Sequence, residues 1–429
     1  MDLENALVRY IGYDKSISFV NRDIAIEEGN FINAIVGPRR AGKTSLMLIY
    51  MSKLKVPESN KIFINCEDID FIGITAADLS NLETAMYRVF KPVETERIYL
   101  FIDEVQTFPE WARWIRTLFD QHKYRILVTG STSELSTERL QSTLRGRTIN
   151  TLVLPFSFGE YLNVMGITYK DYMTPAEKSK IISAFTTFMT FGGYPEVTKI
   201  ENLEAKRRLL SELYATVIQR DMIEKYRIRK VAVFKSFMNS LFGSACRDIS
   251  IPKITNWFGS QNIKVSNQTI FNYVNYGVSA FLFFLVYPYS RKTRERNTKP
   301  KLYVSDSGIL GLFESFEGKI LENTIFIELK RRMKEVYYYK TATEDVDFVI
   351  VERQKVKELI QVSYKLNDPA TYDREMISLL RAGEKLHCNN LTIITFEDER
   401  IIKHKNGIVN IIPAWKWSLS SSHAPSDKS

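Results

Sequence analysis

The stretch Gly37-Pro38-Arg39-Arg40-Ala41-Gly42-Lys43-Thr44 fits the spacing G-x-x-x-x-G-K-[ST] at every fixed position. Each fixed residue type answers a physical need. Glycines let the backbone curl until successive N–H groups point at phosphate oxygens, and Gly42 stands where a side chain would collide with a nucleotide. Lys43 can reach the β and γ phosphates, and the Thr44 hydroxyl can bind Mg2+. Ser45-Leu46-Met47-Leu48-Ile49-Tyr50 then predicts a helix whose positive end faces the anion. Upstream, Phe31-Ile32-Asn33-Ala34-Ile35-Val36 is the short apolar run expected of a buried parallel strand. Strand, glycine loop and helix follow in the order a phosphate pocket needs, so residues 37–45 are the candidate ATP-binding set.

A second run, Ile98-Tyr99-Leu100-Phe101-Ile102-Asp103-Glu104, is an apolar strand ending in two carboxylates. That pairing suits Mg2+ chemistry: Asp103 to hold the ion with Thr44, Glu104 to orient or deprotonate an attacking water. Between the two runs, Lys61-Ile62-Phe63-Ile64-Asn65 predicts a further strand. Another, Tyr124 to Ser131, ends in small polar residues. Ser131 is the first candidate for a hydroxyl that senses the γ-phosphate and Thr129 the second, a polar turn being the alternative. Arg147 and Arg145 are candidates for neutralising transition-state charge, or else surface arginines paired with acids.

The order of these motifs resembles archaeal-type ATPases of the AAA superfamily that carry a C-terminal nuclease-like domain. Gly37 to Thr44, Phe101-Ile102-Asp103-Glu104-Val105-Gln106, Val128-Thr129-Gly130-Ser131, Gly146-Arg147 before Leu154-Pro155-Phe156-Ser157-Phe158, and Gly192-Gly193-Tyr194-Pro195-Glu196 carry the resemblance. It implies an α/β P-loop parallel sheet with a helical lid, a winged helix-turn-helix and a C-terminal α/β nuclease-like domain, using ATP and Mg2+.

Composition frames the rest. A chain of 429 residues exceeds one core of usual size and predicts several domains. The formal charge of +9, from 59 basic and 50 acidic residues, permits a nucleic-acid partner without requiring one. Three scattered cysteines, Cys66, Cys246 and Cys388, argue against a disulfide framework or a zinc site and for a reducing compartment. The acidic start lacks the pattern of a secretory signal, and the longest apolar run, Phe281 to Tyr287, is too short to span a bilayer. The expectation is a soluble cytoplasmic protein without a membrane partner, with oligomers permitted.

The expected division is an ATPase core at 1–164, a helical lid at 165–230, a winged helix-turn-helix at 231–305, a nuclease-like domain at 306–417 and a disordered tail at 418–429. In the third piece, Ser266 is a plausible N-cap, and Asn267, Gln268, Asn272 and Asn275 would face a DNA groove. The basic run holding Arg291, Lys292, Arg294 and Arg296 would be a wing on phosphates. Protein contact is the alternative for such a module.

The fourth piece is similar to the PD-(D/E)XK nuclease superfamily, in which a Glu, an Asp and an E-x-K on the next strand bind Mg2+. Glu322 and Asp347 match, whereas Gln361 and Ser363 stand where the second acid and the lysine belong. Lys365 could substitute from a shifted position. A neutral amide and a serine cannot reproduce a carboxylate and an ammonium, so the domain is expected to bind or assemble and not to cut. The resulting reading is an ATPase acting on DNA. A nucleotide-controlled switch acting on a protein partner is the second.

Overall fold

Five strands build the first sheet: β1 (Ile32–Val36), β2 (Lys61–Asn65), β3 (Ile98–Asp103), β4 (Tyr124–Gly130) and β5 (Thr148–Leu152). Their order is β2-β3-β4-β1-β5, with every neighbouring pair parallel. β1 is buried at all of its positions, which is why it reads as a continuous apolar run and not as an alternation. The helices Lys43–Lys53, Asp78–Phe90 and Trp111–Asp120 supply the crossovers that parallel strands require.

The computed structural model describes residues 2–13, 20–131, 144, 146–290, 299–404 and 407–420. The chain divides into two units, Met1–Leu154 and Pro155–Ser429. The first sheet belongs to the first unit, and the helix Phe158–Val164 already belongs to the second.

The second unit begins with the helices Phe158–Val164, Pro175–Phe191, Pro195–Thr198 and Leu203–Thr216. Ser157 with Glu160, and Thr174 with Glu177, form reciprocal capping boxes that start the first two. The glycine pair after the second helix has a specific cause. Gly192 adopts a φ of 72°, and a Cβ there would meet the Asp306 carboxylate at 2.0 Å; the Gly193 N–H donates to Asp306 Oδ2 at 2.9 Å. Asp306 also accepts from the N–H groups of Gly308 and Ile309, and burial pushes its pKa up to about 6.

Three more helices follow, Val231–Gly243, Ile251–Ser260 and Asn267–Ser279, with Ser266 accepting from the Thr269 N–H as N-cap of the last. An antiparallel pair, β6 (Phe283–Val286) and β7 (Lys301–Val304), comes next. Then come the helix Glu317–Arg331 and β8 (Glu335–Lys340), β9 (Asp345–Glu352), β10 (Lys355–Val362), β11 (Asn390–Thr395), β12 (Arg400–His404) and β13 (Gly407–Pro413), ordered β12-β13-β11-β10-β9-β8. The helix Pro369–Leu386 joins β10 to its parallel neighbour β11 and buries Leu379 and Leu380 against Val349, Leu359 and Ile393.

Two differences from the sequence reading stand out. β12 and β13, to which the sequence reading assigned no strand, extend the sheet at its β11 side. The polar tail does not begin at Ser418, because Ser418 and Leu419 lie buried in the helix Ala414–Leu419, where the tryptophans Trp415 and Trp417 carry enough apolar surface to anchor it. Among the described residues, no helix is long and apolar enough to cross a membrane.

Candidate functional site

The glycine loop runs from the carboxyl end of β1 into the helix Lys43–Lys53. A Cβ on Gly37, whose φ is 151°, would lie 2.0 Å from the Val153 carbonyl oxygen, so only glycine fits there. Gly42 caps the helix in a left-handed conformation with φ of 96°, which costs glycine little. The Lys43 side chain folds back under the loop: its buried Nζ donates to the carbonyls of Gly37 at 3.2 Å and Pro38 at 3.0 Å and stands 3.8 Å from Glu104 Oε1. Arg22 braces the loop from outside. It donates to the Ala41 carbonyl at 2.8 Å and to the Leu154 carbonyl at 2.7 Å.

Strand register brings the other motifs to the same edge. β4 lies between β1 and β3, pairing Val36 with Gly130 and Ile102 with Val128. Asp103 therefore ends its strand beside Thr129. Thr44 Oγ1 donates to both Asp103 oxygens, at 3.0 and 2.9 Å, and the Thr129 hydroxyl donates to Oδ1. Burial pushes the Asp103 pKa up to about 6, against the lowering effect of the Thr129 and Thr44 hydroxyls, and the neighbouring Glu104 adds to the rise.

Glu104 itself takes a left-handed conformation, φ 49°, an uncommon state for a residue with a Cβ. The turn aims its carboxylate back at the loop. Oε2 accepts from Gln106 Nε2 at 2.5 Å and from the Ser131 N–H at 3.1 Å. Its own N–H donates to Thr129 Oγ1 at 2.9 Å. Of the two hydroxyl candidates, Thr129 on β4 thus bonds the acid pair through its side chain and Ser131, just beyond the strand, through its main chain.

The arginine expectation changes. Arg147 directly precedes β5, whose first residue, Thr148, pairs with Ile32 at the amino end of β1, roughly 13 Å of strand away from the glycine loop at ~3.3 Å per residue. It pairs with Asp120 and lies over the Phe119 ring, so it does not reach the phosphate edge of its own sheet. Arg145 lies outside the described residues.

The second unit holds another acid cluster. Glu322, on the helix Glu317–Arg331, and Asp347, on β9, converge as expected, but their lysine comes from β7. Lys301, 5 % exposed, places Nζ 3.1 Å from Asp347 Oδ1 and 3.6 Å from Glu322 Oε1. Tyr303, also on β7, donates to Glu322 Oε1 at 2.7 Å, and the Val362 N–H donates to Asp347 Oδ2 at 3.0 Å. Burial and the nearby Asp347 raise the Glu322 pKa, while the two carboxylates raise that of Lys301 against its burial.

Gln361 turns its amide to the same place. Its oxygen accepts from the Asp347 N–H at 3.2 Å and its nitrogen donates to Glu375 at 2.6 Å. Ser363 bonds the Lys365 carbonyl, and the Lys365 ammonium lies over the Tyr364 ring. The shifted-lysine expectation is therefore corrected: β10 ends at Val362, and neither residue joins the cluster that Lys301 completes.

Of the expected DNA contacts, Asn267 and Gln268 are exposed, and Gln268 Nε2 donates to Asn272 Oδ1 at 3.0 Å. Arg291, Lys292, Arg294 and Arg296 lie outside the described residues.

Comparison with known proteins fits the first unit. A family model described as an AAA domain matches residues 29–162, so this part of the chain is a P-loop ATP-binding domain. A second model, a domain of unknown function, DUF8612, matches residues 182–319. An uncharacterized protein of Methanocaldococcus jannaschii, MJ1544, is 34 % identical over 97 % of this chain and 95 % of its own. An uncharacterized protein of Haemophilus influenzae is 25 % identical over 81 % and 86 %. Among solved structures, the Walker-type ATPase PABY2304 of Pyrococcus abyssi is similar over 73 % of this chain and 94 % of that one, at 11 % identity and a TM-score of 0.43.

Proposed function

We propose, from the premise that this chain belongs to one family with the M. jannaschii protein and carries an AAA domain, that it is a Mg2+-dependent ATPase whose turnover acts on DNA. The observation that carries the hydrolytic part is the convergence of Thr44, Asp103, Thr129, Glu104 and Lys43 on one edge of the sheet. Thr44 Oγ1 and the Asp103 carboxylate would hold Mg2+, and an all-oxygen donor set suits that hard ion. The ion, when bound, screens phosphate charge.

The chain's own groups supply the rest. Loop amides from Gly37 to Ser45 and the Lys43 ammonium bind the phosphates. Lys43 exchanges its loose 3.8 Å pairing with Glu104 for the more strongly charged phosphate oxygens. Glu104, held by Gln106 and the Ser131 N–H, then accepts a hydrogen bond from water and takes its proton. Lys43→Ala is expected to abolish nucleotide binding. Glu104→Gln is expected to bind ATP but lower kcat about 10^2- to 10^4-fold. Normal turnover in both variants would sink the assignment.

The DNA part rests on the helices Ile251–Ser260 and Asn267–Ser279 followed by the β6–β7 pair, the succession of a winged helix-turn-helix, together with the basic run at 291–296. The residues from about 165 to 230 act as the lid and those from 306 to 417 as a nuclease-like domain. Lys301 pairs with both Glu322 and Asp347, and with Gln361 and Ser363 standing where the second acid and the strand lysine belong, this domain is read as one that binds and does not cut. The exposed rings of Trp257 and Phe271 on the same two helices favour the second reading, contact with a protein partner. ATPase rates with single-stranded, duplex and branched DNA separate the two: stimulation that fades with salt supports DNA, and no response to any form selects the protein partner.

A further inference from the structure

Lys206 is buried without a matching charge. It lies on the helix Leu203–Thr216 and is 3 % exposed. Among the described residues no carboxylate and no hydrogen-bond acceptor meets its ammonium; its contact is the face of the Phe191 ring, 5.7 Å away. A ring face compensates a desolvated cation only in part, and burial lowers the lysine's pKa.

The lysine lines a cavity of about 1030 Å³ formed by the helices of residues 158–206. Val164, Met165 and Ile167 give one wall an apolar surface, and Lys180 and Lys199 add two cations against the single acid Glu201. Two hydroxyls of the lining are already engaged: half-buried Thr187 donates to the Ser183 carbonyl and buried Thr198 to the Tyr194 carbonyl. Among the described residues, Lys206 and the Tyr161 phenol are the buried polar groups of this lining that lack a hydrogen-bond partner, and Lys206 is the one that carries a charge. A concave space that joins an apolar wall to a few polar groups is a usual form of a small-molecule site.

We infer that this cavity binds a small organic anion, a phosphate or carboxylate on a short apolar body. Lys206 pairs with the anionic group, and Val164, Met165 and Ile167 take the apolar part. This site lies wholly in the second unit and is independent of the ATP-site assignment.

The test is calorimetric titration of the full chain carrying Lys43→Ala, so that the glycine loop does not compete, with hexyl phosphate, hexanoate, inorganic phosphate and hexanol. The expected result is single-site binding of hexyl phosphate or hexanoate, tighter than inorganic phosphate and hexanol, with the stronger of the two naming the anion. Adding Lys206→Met, which keeps the buried stem, should weaken that binding about tenfold or more while leaving the melting temperature equal or higher. If Lys206→Met does not fold, Lys206→Gln makes the same comparison. Equal affinity in the variant, hexanol binding as tightly as the anions, or no binding by any probe overturns the inference.

Discussion

Lys43 and Lys301 are both buried, and each stands beside two carboxylates, yet their bonding differs. Lys43 is hydrogen-bonded to main-chain carbonyls and only loosely near Glu104, while hydroxyls from Thr44 and Thr129 hold Asp103. Lys301 is the counterion itself, hydrogen-bonded to Asp347 and within ion-pair reach of Glu322. On the proposed function, the first arrangement offers an ammonium and a carboxylate pair to phosphate and metal. In the second, the same charges satisfy one another. Similar residue lists thus give a poised site in one unit and a closed structural knot in the other.

The strongest test of that contrast is Lys301→Met. Removing one partner of a buried ion cluster leaves uncompensated carboxylates and costs about 3–5 kcal/mol, read as a lowered urea midpoint of the second unit with ATP hydrolysis by the surviving fold unchanged per active site. A loss of less than about 1 kcal/mol would mean the knot is not structural. Cutting of supercoiled DNA with Mg2+ or Mn2+ by the unaltered chain, abolished by Asp347→Ala, would break the comparison outright.

What sequence reading could see follows from the same contrast. The glycine loop, Asp103-Glu104 and the polar end of β4 were legible because each depends on neighbours in the chain, a strand running into a turn, and parallel strands bring such turns to one edge. Lys301 was not, since it lies 46 residues before Asp347 and within a run that reads as a basic wing. Arg22 bonds carbonyls 19 and 132 residues away, and Asp306 explains a glycine 113 residues earlier. Such pairings leave no periodicity to read. β12 escaped because its Arg-Ile-Ile-Lys-His run buries almost nothing and so shows no apolar face. The distance of Arg147 from the glycine loop of its own sheet was not legible, because a motif's position in the chain does not say at which end of the sheet its strand begins.

The poised site also predicts a pH response. Burial raises Asp103 from an ordinary carboxylate value of 3.8 to about 6, so between those values the folded chain keeps a proton that the unfolded chain has released. The nucleotide-free protein therefore gains stability from this group as pH falls through that window and loses the contribution as pH rises through about 6. Under the proposed role of Asp103 as a Mg2+ ligand, metal binding would run the opposite way, because it would need the carboxylate. Mg2+-dependent nucleotide affinity should fall by up to about tenfold per pH unit below about 6, measured by fluorescence titration with a labelled ATP analogue. Asp103→Asn should bind weakly at every pH and flatten that slope. A wild-type profile flat from pH 5 to 8 would show that the hydroxyls of Thr44 and Thr129 already hold Asp103 ionised.

Arg22 gives the smallest and most local test, because it reaches the loop through main-chain carbonyls. Its guanidinium ties the Ala41 carbonyl, on the loop, to the Leu154 carbonyl, just after β5. Hydrogen bonds from a charged donor contribute about 1.5–3 kcal/mol each at most, and less where solvent reaches them, as at this half-buried arginine. Arg22→Ala should therefore raise the KM for ATP about three- to tenfold with kcat nearly unchanged, because the loop must be ordered by the nucleotide itself. Arg22→Lys should recover only part of the loss, since a point charge cannot span both carbonyls. A fall in kcat without a change in KM would instead place Arg22 among the groups that act on the transition state. The availability of Lys43 would then depend on a brace that reaches beyond the glycine loop's own backbone.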